Sequence, residues 1–179
     1  AGMDSISYCV VIEEISRVCA TSGVILSVNN SLVCDPLIKY GTEEQKKEFL
    51  TPLAAGKQLG CFALTEPGAG SDAAGLRSTA KRDGDDYVIN GSKIWTSGAD
   101  MADWIFCLVR TDFEASKHEG ISFIVFDMTT EGVSIAPIEL ISGSSEFCQT
   151  FFDDVRVPKR HLISRPGNGW TVGKRLLQY

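Results

Sequence analysis

The sequence predicts an α+β fold: a partial helical N-terminal domain, a mainly antiparallel β middle domain, and the start of a C-terminal helix. Three observations predict it. Apolar residues recur at helical spacing through residues 1–60. After Gly60 the period turns strand-like. No helical pattern interrupts the strands, so the crossovers that a parallel sheet needs are missing. The boundaries read as 1–60 for the partial helical domain, 61–160 for the middle β domain, and 161–179 for a linker and the start of a truncated helical domain.

The elements follow in order. Asp4 can cap a helix with Tyr8, Val11, Ile15 and Val18 on one face. Gly23 reads as the break, and a second helix carries Ile25, Val28 and Leu32. Asp35-Pro36 interrupts or restarts it. Thr42-Glu43-Glu44-Gln45 has the capping-box pattern of a third helix, closed by Pro52 and Gly56. Cys61–Thr65 reads as an apolar strand. Leu76–Arg82 leads into a turn at Asp83-Gly84-Asp85-Asp86. Asn90-Gly91, between Tyr87-Val88-Ile89 and Ser92-Lys93-Ile94, carries the strongest hairpin signal of the chain. Further strands are predicted at Trp104–Arg110, Ile121–Asp127, Val133–Ile138 and Thr150–Val155, then a helix from about Gly169 with Trp170, Gly173, Arg175 and Leu177. Both ends read as cut inside helical patterns, Ala1-Gly2-Met3 and Leu176-Leu177-Gln178-Tyr179, which suggests a fragment.

Composition narrows the function. An apolar fraction of 44% supports a packed core, and a formal net charge of −6 argues against nucleic acid as partner. An anionic ligand held by a few local cations remains compatible with that charge. The six cysteines are widely spaced without a C-x-x-C pair, which argues against a zinc site and for a reducing compartment. No signal peptide or membrane-spanning run is visible.

Two segments carry chemistry. Cys61-Phe62-Ala63-Leu64-Thr65-Glu66-Pro67-Gly68-Ala69-Gly70-Ser71-Asp72 runs from a strand into a glycine-rich turn flanked by hydroxyls. Such a turn lets backbone amides approach a bulky ligand. Lys93-Ile94-Trp95-Thr96-Ser97-Gly98 puts an indole directly before two hydroxyls. A flat apolar wall beside short donors suits a flat heteroaromatic cofactor with polar edges. Trp95 alone would read as a strand packing residue; its neighbours and the glycine-rich turn favour the cofactor wall. The Gly68-x-Gly70-x-x-Ala73 spacing also fits a dinucleotide fingerprint, but that needs a long helix next, and Gly75 and the Asp83-Gly84 turn bracket a short strand instead. His118 and His161 lack any hydrolase context and read as surface residues. Glu43-Glu44 and Asp153-Asp154 read as solvated structure rather than catalytic carboxylates.

These two segments, in this order, resemble the flavin-binding signatures of the acyl-CoA dehydrogenases. The resemblance covers essentially the whole chain, from Glu13-Glu14-Ile15-Ser16-Arg17 to Asp153-Asp154-Val155-Arg156-Val157-Pro158. It implies FAD as cofactor, contacted by Phe62, Ala63, Leu64, Thr65, Gly70, Ser71, Trp95, Thr96 and Ser97. Trp95 would shield one ring face, Thr65 and Thr96 would bond the polar edge, and Gly70 and Ser71 would address the pyrophosphate. Ser71 would also touch the coenzyme A portion of the substrate. The implied reaction is α,β-dehydrogenation of an acyl-CoA thioester, with electrons passed to an electron-transferring flavoprotein. The resemblance further implies a homotetramer, in the bacterial cytoplasm or the mitochondrial matrix, and places the catalytic base in a domain beyond Tyr179. It gives neither Glu66 nor Glu139 a proton-transfer role. Residues 20–75 are similar to short-chain members, and residues 120–179 to a bacterial branch acting on other acyl thioesters. A flavin oxidase or monooxygenase of the same fold and a non-catalytic flavin or acyl-CoA binding module are the alternatives.

Overall fold

The computed structural model describes residues 4–176. Ala1-Gly2-Met3 and Leu177 lie outside the described residues. Asp4 caps α1 (Ser5–Val18) by accepting the Ser7 amide at 2.9 Å. Tyr8 and Ile15 are half-buried on this helix, while Val11 and Val18 are exposed. The break comes at Cys19, which is extended, and not at Gly23 as the sequence suggests. Gly23 is buried inside α2 (Ala20–Val28), where a Cβ would lie 2.0 Å from Ser16 Oγ of α1. The glycine permits helix contact instead of ending a helix.

Both interior prolines are accommodated by the same device. A π-helical segment, Asn29–Cys34, precedes α3 (Asp35–Tyr40), with Pro36 in its first turn. The capping box forms at α4 (Glu43–Gln45): Thr42 Oγ1 accepts the Gln45 amide and Gln45 Oε1 accepts the Thr42 amide. A second π segment, Lys46–Leu50, then leads into α5 (Thr51–Ala54), with Pro52 at its start. Pro52 therefore continues this helix; Gly56, at φ 66°, follows its end. Proline lacks an N–H and crowds the preceding turn, and the wider turn relieves both demands.

Among the described residues eight strands form one sheet: β1 (Gly60–Ala63), β2 (Thr79–Asp83), β3 (Asp86–Ser97), β4 (Trp104–Arg110), β5 (Ile121–Asp127), β6 (Val133–Ile138), β7 (Phe147–Pro158) and β8 (Leu162–Ile163). The order is β6-β7-β3-β2-β4-β5-β8, with β1 parallel to β4 and most other pairs antiparallel. β4 and β5 are buried on both faces, which explains their unbroken apolar runs. Ile105, Cys107 and Val109 face one core with Ile89, Val155 and Phe152. Phe106 and Leu108 face another with Phe49, Leu53 and residues of α6 (Gly169–Leu176). Cys34, Cys61, Cys107 and Cys148 are buried thiols; Cys9 and Cys19 are exposed. Burial pushes the Cys34 thiol up to about 11.

The β3–β7 ladder departs from the sequence reading. Asn90-Gly91 is not a hairpin turn. The hairpin is Gly84-Asp85, one step earlier, closing β2 onto β3. Asn90 stays in the ladder opposite two residues, Asp153 and Asp154, at a bulge. Asp154 takes φ 49°, and its amide and carboxylate are held by the Asn90 side chain at 3.0 and 2.8 Å. Gly91, at φ 142°, lies against Ser78. β7 is also longer than the predicted Thr150–Val155.

His161 corrects a second reading. It is buried, 7% exposed, edge-on to Phe49 at 5.0 Å. Gln45 Nε2 donates to the carbonyls of Arg160 and Leu162 on either side of it. His118 is exposed as read, and stacks on Trp170 at 4.8 Å.

Candidate functional site

Past Asn90 the β2 strand ends, and the segment after β1 covers the free edge of β3. The Ile94 amide donates to the Thr65 carbonyl at 2.9 Å. A second bulge lies at the same place: Ile94 and Trp95 together face one residue, Gln149, between the Lys93–Thr150 and Thr96–Cys148 pairs. Trp95 takes φ 63°, a left-handed conformation that costs an aromatic residue about 1–2 kcal/mol. The indole meets Phe147 edge-on at 6.0 Å and stays 52% exposed. Between the two segments lies a cavity of about 170 Å³, lined by Val28, Leu32, Cys61, Phe62, Leu64, Thr65, Ile94, Trp95 and Ser97. Its walls are apolar, with hydroxyls at Thr65 and Ser97.

Five of the nine predicted residues therefore meet: Phe62, Leu64, Thr65, Trp95 and Ser97. Ala63 points into the core, as strand alternation demands after Phe62. Thr96 is 1% exposed and does not line the cavity; its Oγ1 is buried without a hydrogen-bond partner. The bulge at Trp95 turns Thr96 inward and leaves Ser97 on the cavity side. Gly70 and Ser71 are exposed on the turn, outside the cavity lining. That turn is pinned by reciprocal bonds between Glu66 and Ala69 at 3.2 and 3.0 Å. After it comes only the short 3₁₀ turn Ala73–Gly75, so no dinucleotide-type helix exists. Arg110 fixes this stretch by donating to the carbonyls of Ala74 (2.9 Å), Leu76 (3.3 Å) and Lys117 (3.3 Å). Lys117 reaches Asp72 at 2.5 Å.

Behind these walls lies a buried ion pair that no local sequence pattern marks. Lys93 is fully buried and pairs with Glu66 at 2.9 Å. Glu66 also accepts the amides of Arg77 (2.6 Å) and Ser78 (2.9 Å). Burial acts to raise the Glu66 carboxyl; Lys93 and the two amides outweigh it and hold the group below the usual carboxylate range. Val28, Leu32 and Ile94 were also missed as cavity walls, because helical or strand spacing marks them only as packing residues. Among the described residues no cluster of side chains could hold a metal ion, and no helix is long and apolar enough to cross a membrane.

With a β domain flanked by helices, the chain belongs to the acyl-CoA dehydrogenase family. Residues 61–155 match the family's middle domain, and residues 1–57 match its N-terminal domain. The chain is 40% identical over 179 residues to the mitochondrial short-chain specific acyl-CoA dehydrogenase of Mus musculus, covering 99% of this chain and 43% of the relative. Butyryl-CoA dehydrogenase from Megasphaera elsdenii superposes with a TM-score of 0.90 at 33% identity, over 98% of this chain and 46% of that one. A structure described as an electron transferring flavoprotein of Acidaminococcus fermentans superposes at 0.92 and 36% identity, over 99% of this chain and 47% of that one. The chain thus spans less than half the length of these relatives.

Proposed function

We propose that the complete protein is an FAD-dependent dehydrogenase that removes the α and β hydrogens of an acyl-CoA thioester. The observation that carries this reading is the cavity in which a strained, half-exposed Trp95 faces the Thr65 segment. The residues present fit a flavin. The indole and the side chains of Phe62, Leu64 and Ile94 offer apolar contact to the ring. The Thr65 and Ser97 hydroxyls line the same cavity and would donate to the polar ring edges. Thr96 would act behind them, since its hydroxyl is buried. Ala63 would hold the strand from the core side. Gly70 and Ser71, exposed on the turn, would meet the pyrophosphate, and Ser71 the coenzyme A portion of the substrate.

Bound there, the flavin supplies the acceptor for the hydride that leaves the β carbon. This chain's residues orient the ring, shield one face from water and leave the other for the thioester. The base that takes the α proton is proposed to lie beyond Tyr179. We further propose electron-transferring flavoprotein as acceptor and a homotetrameric assembly. The ranges 1–60, 61–160 and 161–179 are proposed as parts of three domains, and the site of action as the bacterial cytoplasm or mitochondrial matrix.

Reconstitution of the complete gene product with FAD tests the reading. A yellow complex with quenched flavin fluorescence is expected, and Trp95→Ala should weaken it at least tenfold. A folded complete protein that takes up no FAD would sink the proposal.

A further inference from the structure

Between the two cavity walls runs a buried ionic connection that neither wall needs for its own secondary structure. Lys93 Nζ donates to Glu66 Oε1 at 2.9 Å and to the Leu64 carbonyl at 3.1 Å. Glu66 in turn accepts the amides of Arg77 and Ser78. One ion pair thus ties four stretches together: the end of β1, the glycine-rich turn, the segment entering β2, and β3. Lys93 is the last residue of β3 in register with Thr150 before the bulge that carries Trp95. The next amide, Ile94, bonds to Thr65 on the opposite wall. Neither Lys93 nor Glu66 lines the cavity.

Burying two charges is costly, and apolar residues of similar volume often give equal or greater stability. A directional network does what apolar packing cannot: it fixes distances and angles between the segments it joins. We infer that Lys93 and Glu66 are positioning residues that set the separation and tilt between the Thr65 edge and the Trp95 face, and so the slot offered to the flavin ring. This rests on the flavin reading above.

The test compares the complete gene product with the double variant Glu66→Leu/Lys93→Met, which removes both charges and leaves none unpaired. Thermal midpoint, FAD affinity, the resolved visible flavin bands and hydrogen exchange at Ile94 are measured. The double variant should melt close to wild type, bind FAD at least tenfold more weakly with blurred bands, and exchange Ile94 at least tenfold faster, while Leu108 in β4 is unchanged. A merely structural pair would change the midpoint alone. Wild-type FAD affinity in the folded double variant overturns the inference, whatever the exchange shows. If wild type itself takes up no FAD, the flavin reading fails separately; Ile94 exchange then decides, with faster exchange supporting the pair as the device that sets the walls and unchanged exchange overturning it. Should the double variant not fold, Glu66→Gln, which leaves Lys93 without its anion and should therefore melt below wild type, carries the FAD-affinity and Ile94-exchange readouts with the same outcomes.

Discussion

Gln45 serves two structures with one amide. Its oxygen completes the capping box at Thr42, and its nitrogen reaches across to the carbonyls of Arg160 (2.6 Å) and Leu162 (2.9 Å). A helix start is thereby docked onto the end of the sheet at a site only 5% exposed. Gln45→Glu keeps the acceptor but removes both donors and brings a charge into the site. Urea denaturation should show a loss of at least about 2 kcal/mol. A change below about 0.5 kcal/mol would mean that water replaces the two lost bonds. The capping box was legible because it is a local pattern of four residues. The second task of Gln45 was not, because its partners lie 115 and 117 positions away.

Within the β3–β7 ladder, two bulges divide the labour. The one at Asn90 opposite Asp153-Asp154 adjusts the sheet; the one at Ile94-Trp95 re-aims an indole. Gly91 sits beside the first, at φ 142°, where a Cβ would lie 2.4 Å from Ser78 Oγ and 2.7 Å from Ser78 Cα. Gly91→Ala should cost about 2 kcal/mol or more in thermal or urea unfolding. Ser78 also donates its amide to Glu66, so FAD affinity should fall with it. Most strands were legible: Trp104–Arg110, Ile121–Asp127 and Val133–Ile138 match their predicted ranges, because β-branched and aromatic residues cluster there, whereas the two-residue β8, Leu162–Ile163, lies in a stretch read as a linker. Asn90-Gly91 misled because its local chemistry suits a tight turn, whereas the choice was made by Ser78 and by a strand more than sixty residues later. The burial of Lys93 was not legible either, because its partner Glu66 lies 27 positions away.

For the molecule as a whole, acid should act in two stages. Burial, and then Arg160, lower the His161 pKa below its ordinary 6.5, with Glu48 opposing them. The folded state therefore prefers the neutral ring, and stability present above pH 6.5 is lost as pH falls below that value. Glu66 follows lower down: its native pKa lies below the ordinary 4.5, so its contribution is full above pH 4.5 and is lost as pH falls through the depressed value. His161→Phe keeps an aromatic ring against Phe49 and should remove the first stage; thermal midpoints at pH 7 and 5.5 would then converge, and an undiminished gap would show that another group titrates. The widened turns carry a consequence of a different kind. Asn29–Cys34 lies between α2 and α3, and Val28 and Leu32, on either side of its start, both look into the cavity. Deleting a single residue there would restore ordinary helical spacing and change which residues of the stretch face the cavity. This stretch is therefore a ruler whose residue count, more than its chemistry, keeps one side of the cavity closed.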